Sequence, residues 1–224
     1  MVIASEHGAT MADEHSTRKS TKHRPETSQK RREILKAASE VFGLKGTSNA
    51  TLEEIADRVG MTRAGILHHF GSKRALLLAV LQYRDSSEVE NLEEHHIPGG
   101  AELFRHLIET ARRNALRPGI VRTFVTLSSE SITDHNVGHD YFLERYSNLR
   151  EEITQALIDM AKERKSTIDM AKADMASSAI LAVMDGLQLQ WLLDQDHVEL
   201  PEVTEYAVNA IVWSVMSNSD ERAY

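Results

Sequence analysis

No cysteine occurs among the 224 residues of this chain. That absence excludes disulfides, thiolate nucleophiles and thiolate metal sites, and it fits a reducing cytoplasm. No apolar run near the first residues has the form of a signal sequence, and none elsewhere reads as an uncharged bilayer span, so a cytoplasmic protein with no membrane partner is expected. The chain has no Gly-rich phosphate loop and no H-E-x-x-H pair, which removes two common enzyme chemistries. Beyond residue 85 no alternation of apolar and polar residues marks a strand, and the apolar spacing is helical throughout. Residues 1–27 have almost no large apolar side chains, so they cannot seed a core and are expected to be a disordered arm. Its Arg18, Lys19, Lys22 and Arg24 would follow phosphates or enter a minor groove.

Charge is present and unevenly divided. Residues 16–84 hold fourteen Lys and Arg against six Asp and Glu, although the whole chain has a net charge of −8. A basic module attached to an acidic body is the pattern of a polyanion binder, because phosphate contacts need cations where the duplex sits.

Residues 47–74, TSNATLEEIADRVGMTRAGILHHFGSKR, lie inside that basic segment and spell two short helices joined by a tight turn. Thr51 is placed to cap the first, with Glu54 three residues on reaching back in a capping box. Leu52, Ile55, Ala56 and Val59 recur on one face. Gly60 supplies the left-handed residue that ends the helix, Met61 fills the turn, and Thr62 caps a second helix running to Phe70. Spacing alone would equally suit a helical hairpin in an all-α enzyme. Upstream, KRREILKAASEVFGLK carries Ile34, Ala37, Ala38, Val41 and Phe42 on one stripe, with Gly46 as its stop. Downstream, Ser72 opens a longer helix with Leu76, Leu77, Val80 and Leu81.

The stretch from Arg32 to Leu81 resembles the DNA-binding domain of the tetracycline-repressor (TetR) family, through ILKAASEVFGLKG, TLEEIADRVGMT and HHFGSKRALL. MDGLQLQWLLDQD is similar to the penultimate helix of many members. The resemblance implies an all-α protein with a three-helix helix-turn-helix domain at 28–88 and a larger helical domain at 89–224 for effector binding and dimerisation. It implies a non-enzymatic regulator, a repressor released from operator DNA by a small molecule. An effector-independent nucleic-acid-binding protein and a helical metalloenzyme are the alternatives.

For the DNA face, the resemblance implies contacts from Thr51, Thr62, Arg63, Ala64, Gly65, Leu67, His68 and Lys73. Arg63 opens the second helix, and a guanidinium there can read guanine O6 and N7 in bidentate fashion. Thr62 suits a phosphate or a base, and Gly65 either admits close approach to the groove wall or is simply tolerated. Thr51, His68 and Lys73 are placed like phosphate contacts. Leu67 stands where many members carry tyrosine, which shifts weight to His68.

The acidic body reads as further helices. Leu103, Phe104, Leu107, Ile108 and Ala111 form one amphipathic face after Gly99-Gly100; Pro118 starts a helix with Ile120, Val121, Phe124, Val125 and Leu127; Phe142, Tyr146, Leu149, Ile153, Leu157 and Met160 line a long one. Pro118-Gly119 is a natural pivot beside the bridging helix from Ser72 to about Glu90. Residues 179–193 are apolar on more than one face, and the segment after Pro201 carries two stripes, Val203/Ala207/Ala210 and Val208/Val212/Val215. A second apolar face implies a partner, and the resemblance makes it the same helices of a second subunit. A homodimer would read a pseudo-palindrome in double-stranded DNA. Phe104, Phe124, Phe142, Tyr146, Met184 and Trp191 either line an effector pocket or fill the core. His135 and His139, with Asp134, Asp140 and Glu130 nearby, have some of the donors a divalent metal needs, but Gly138 interrupts their helical face, so caps and solvated contacts are expected and no metal or cofactor.

Overall fold

The computed structural model describes residues 23–89, 99–133 and 138–217. Among them the secondary structure is entirely helical: α1 (His23–Asn49), α2 (Leu52–Arg58), α3 (Arg63–Phe70), α4 (Lys73–Val89), α5 (Gly100–Ala115), α6 (Pro118–Glu130), α7 (His139–Glu163), α8 (Met170–Leu193) and α9 (Leu200–Met216).

Helix starts follow local capping chemistry. The hydroxyls of Thr51, Thr62 and Ser72 accept from the amides of Glu54, Gly65 and Ala75 at 3.2, 3.1 and 3.0 Å, each satisfying one donor of a first turn. Only half of the expected capping box forms. The Glu54 carboxylate turns to Lys45 at 2.8 Å and Arg58 at 3.8 Å, because two cations are better partners than an amide already at the helix mouth. Gly60 has φ +63°, as the end of α2 requires.

Several expected boundaries move. Residues 23–27, expected in the disordered arm, are the first turn of α1; Pro25 falls where a missing N–H costs little. The rest of the arm, with Arg18, Lys19 and Lys22, lies outside the described residues. Gly46, expected to stop α1, is instead a break inside it, with φ 73° and ψ 177°. The apolar helix expected at 179–193 begins earlier, at Met170, capped by Asp169, whose carboxylate accepts from the Ala171 amide at 2.9 Å. By length and composition alone α8 qualifies as a membrane span, although it carries Asp185 and so is not an uncharged one. Here it packs against α6, α7 and α9 and buries Ile180, Leu181, Met184 and Trp191.

The core is built in three clusters. The first joins Ile34, Val41 and Phe42 of α1, Ile55 of α2, Ile66 and Phe70 of α3 and Leu76 and Leu81 of α4, and continues into Phe124 and Leu127 of α6 and Phe142 of α7. Phe42 is fully buried, a contribution of roughly 1.5–3 kcal/mol. The second joins α5, α7, α8 and α9 through Phe104, Ile108, Ile153, Leu157, Ile180, Met184 and Val208. The third is Ala111, Val121, Leu187, Trp191 and Leu200. The small helical unit is therefore seated on α6 and α7, and its most extensive helix pairing is α1 on α6.

Candidate nucleic-acid interface

α3 is amphipathic over two turns. Ile66 and Phe70 are buried, whereas Thr62, Arg63, Ala64 and His68 are exposed. Residues 63, 64, 67 and 68 lie on one side of a helix because steps of three and four return to the same face. Leu67, at the edge of that face, is half-buried and packs against the first core cluster. An added Cβ at Gly65 would lie 2.9 Å from Met61 Cε, so the glycine leaves room for the turn's own methionine. Thr51, exposed, precedes α2, and Lys73, half-buried, opens α4.

The side chains that hold α2 and α3 come from other helices. Arg31 of α1 lies 4.1 Å from the centre of the Phe70 ring and donates from Nη1 to His69 O at 2.8 Å, a cation–π contact and a C-terminal cap in one residue. Lys30 donates to Val59 O at 2.9 Å, placing an ammonium at the negative end of α2. Glu53 of α2 pairs with Arg63, Oε1 to Nε, at 3.1 Å. These three positioning residues left no mark in the sequence beyond their charge, since each acts across a turn or between helices.

The six candidates for an effector pocket are divided among the three core clusters. Phe124 and Phe142 belong to the first cluster, Phe104 and Met184 to the second and Trp191 to the third. Tyr146 is half-buried and touches the first two. Around it lies a polar group inside the helical body: the Tyr146 hydroxyl donates to Asp185 Oδ2 at 2.5 Å, and Arg84 stacks 3.9 Å above the Phe124 ring. Burial is the largest cause raising the Asp185 carboxyl, opposed by the Tyr146 hydrogen bond and the guanidiniums of Arg84 and Arg145. Tyr146 is raised well above the ordinary phenol range, first by burial and then by Asp185.

Of the suspected metal-ligand set, Glu130, His139 and Asp140 fall among the described residues. Asp134 and His135 lie outside the described residues, among which no group of three such side chains converges. His139 Nδ1 donates to Ser131 O at 3.0 Å, and the Glu130 carboxylate accepts from the Thr47 amide at 2.8 and 3.1 Å.

Comparison with known proteins agrees with this geometry. Residues 34–80 match the family of bacterial regulatory proteins, tetR family. The HTH-type transcriptional activator FasR of Mycolicibacterium smegmatis is 28% identical over 196 residues, covering 85% of this chain and 84% of FasR. The HTH-type transcriptional regulator TtgR of Pseudomonas putida is 26% identical, covering 78% of this chain and 86% of TtgR. Among solved structures, a transcriptional regulator from Pseudomonas aeruginosa superposes with a TM-score of 0.69 at 19% identity, covering 85% of this chain and 92% of that one. SmeT, the repressor of a Stenotrophomonas maltophilia multidrug efflux pump, does so with 0.65 at 18% identity, covering 83% and 89%. At such identities the likeness shows the fold. The family match, the relatives and the capped helix pair together give residues 34–80 the DNA-binding domain of tetR-family regulators, in a chain similar over most of its length to HTH-type transcriptional regulators.

Proposed function

We propose that this regulator is a cytoplasmic homodimeric repressor that binds a pseudo-palindromic operator through α3 and is released by a small-molecule effector. The observation that carries the DNA reading is the outward face Thr62, Arg63, Ala64 and His68, backed by buried Ile66 and Phe70. A helix whose inner face is fixed in a core presents its outer side chains without a backbone ordering cost at binding. Arg63 reads a base, Thr51, Thr62, His68 and Lys73 meet phosphates, and Ala64, Gly65 and Leu67 define how closely the helix approaches. The units at 28–88 and 89–224 supply reader and sensor.

Dimerisation is supported by α8 and α9. Packed side by side, they leave Met175, Leu189, Leu193, Val203, Tyr206 and Trp213 exposed, large apolar side chains of the kind that a partner covers. The stripe Val208 and Val215 is the inner one; Val212 is half-buried and packs inward, so the partner face runs through Val203, Ala210 and Trp213. A pseudo-palindromic operator, with half-sites in successive major grooves, calls for two such reading helices and hence for two copies joined there. For the effector, the Tyr146–Asp185 pair beside Arg84 offers the polar anchor and the neighbouring aromatic rings the walls. Repression follows the general logic that a ligand favouring a different spacing of the readers lowers operator affinity.

The test is selection of duplexes from a random pool with the full chain, followed by sedimentation of the complex. Recovery of a two-fold symmetric sequence bound by two chains supports the proposal. A protein that enriches no sequence, or binds as a monomer, contradicts it.

A further inference from the structure

α6 belongs to the larger helical unit, yet one of its faces is devoted to α1. Gly43 allows the close approach: an added Cβ would lie 2.5 Å from Thr123 Oγ1 and 3.1 Å from the Thr123 backbone. Thr123 Oγ1 sits 2.8 Å from Ser39 O, 2.9 Å from Gly119 O and 3.1 Å from Ser39 Oγ. One turn on, the Thr126 hydroxyl donates to Gly43 O at 3.4 Å. At the end of the same stripe the Glu130 carboxylate accepts the Thr47 amide through both oxygens, at 2.8 and 3.1 Å.

Thr47 is the first residue after the break at Gly46, and the chain makes one fresh turn there, Ala50 N to Gly46 O, before Thr51 caps α2. The amides of a fresh turn have no partner behind them and attract a negative charge. Such an amide is ordinarily met by a side chain next to it in sequence. Here the acceptor stands 83 residues away, on another helix. Gly46 has a positive φ, and a Cβ there would collide with Glu130 Oε1, so the break is shaped to receive this carboxylate.

We infer that Glu130 is a positioning residue of the DNA reader, holding the Thr47 amide and with it the entry to α2 and α3. This rests on the reading that α3 binds DNA. The arrangement makes α6 a lever between its Pro118-Gly119 start, where Gly119 has open space around it, and the helix-turn-helix. Its far end meets the reader through this hydrogen bond as well as through Leu127 in the shared core.

The test uses the full chain and a duplex selected from a random pool with the wild-type protein, compared with an unrelated duplex of equal length. Glu130→Ala is expected to weaken the selected duplex by about tenfold, within what one charge-assisted bond can supply, while leaving the unrelated duplex and the salt slope unchanged. Glu130→Gln keeps an acceptor and should return affinity to within about threefold of wild type. Thr47→Pro removes the donor instead; the extended ψ of 177° at Gly46 suits a following proline, and the first helical position tolerates it. It should match Glu130→Ala, and the double variant should be no worse than either, as expected for two halves of one bond. Without DNA, amide exchange over residues 47–51 should accelerate in Glu130→Ala. Wild-type affinity in Glu130→Ala or Thr47→Pro, additive losses, or equal losses on both duplexes would overturn the inference. If Glu130→Ala does not fold, Thr47→Pro and Glu130→Gln carry the same comparison. A wild-type protein that selects no duplex overturns the DNA reading; unchanged exchange at residues 47–51 in Glu130→Ala overturns the role of Glu130 independently of any DNA.

Discussion

Replacing Arg63 by alanine removes the side chain proposed to read a base, and the size of the expected effect follows from its surroundings. Arg63 is 59% exposed and pairs with Glu53, itself 62% exposed, at 3.1 Å. An exposed pair of this kind contributes about 0.2–1 kcal/mol, and it must be given up or shared when the guanidinium turns to a base edge. A bidentate contact to guanine discriminates by about 1–3 kcal/mol. The base contact therefore outweighs the pair, and Arg63→Ala should cost the selected duplex about five- to 150-fold in affinity. Because Arg63 stands on a helix fixed by Ile66 and Phe70, the loss should appear without a change in melting temperature. Glu53→Ala separates the two roles: it frees the guanidinium and removes a carboxylate facing the polyanion, so affinity should stay within about fivefold of wild type. Fluorescence anisotropy on the selected and an unrelated duplex, at several salt concentrations, measures both quantities. An unchanged ratio of specific to non-specific affinity in Arg63→Ala would refute the assignment, since a phosphate contact lowers both together and flattens the salt slope.

Lys73→Ala should show that second behaviour, weakening both duplexes and reducing the salt slope by about one. Trp213 is 67% exposed on the outer face of α9; Trp213→Glu should convert the dimer to monomers in sedimentation velocity, because burying an unpaired carboxylate costs several kcal/mol, and a Trp213→Glu dimer of wild-type strength would remove α9 from the interface. Gly46→Ala forces a side chain to φ 73° and against Glu130, so a loss of about 1–3 kcal/mol is expected by urea unfolding. The folded Asp185 carboxyl is raised above its ordinary 3.8 by burial, so the folded state holds its proton longer than the unfolded chain. Stability from this group is present at low pH and is lost as pH rises from about 3.8 through the folded value. Asp185→Asn should therefore gain on wild type as pH rises across that window, and parallel melting curves from pH 3 to 8 would contradict the assignment.

The helix-turn-helix was legible because its instructions are local. Thr51, Thr62 and Ser72 each bond an amide three residues away, and Gly60 takes the left-handed backbone next to the helix it ends. Interactions between helices carry no such mark. Glu54 prefers the cations of Lys45 and Arg58 to the cap, and nothing near Thr47 announces that its amide is held from position 130. The two stripes of α9 show the same limit. Both are apolar, and only the packing of α5 and α8 decides that Val208 faces inward and Trp213 outward. Aromatic identity marked Phe104, Phe124, Phe142 and Trp191 as buried, but their division among three clusters depends on how α5, α6, α7 and α8 cross. The start of α8 was obscured by small and polar residues, MAKADMASS, which give little apolar period.

The most direct test of α3 as the reading element is amide hydrogen exchange of the full chain with and without its selected duplex. Protection should concentrate on residues 62–68, with smaller effects at Thr51 and Lys73, and the outer face of α8 and α9 should exchange alike in both states. Protection confined to other helices, with residues 62–68 unchanged, would contradict the account.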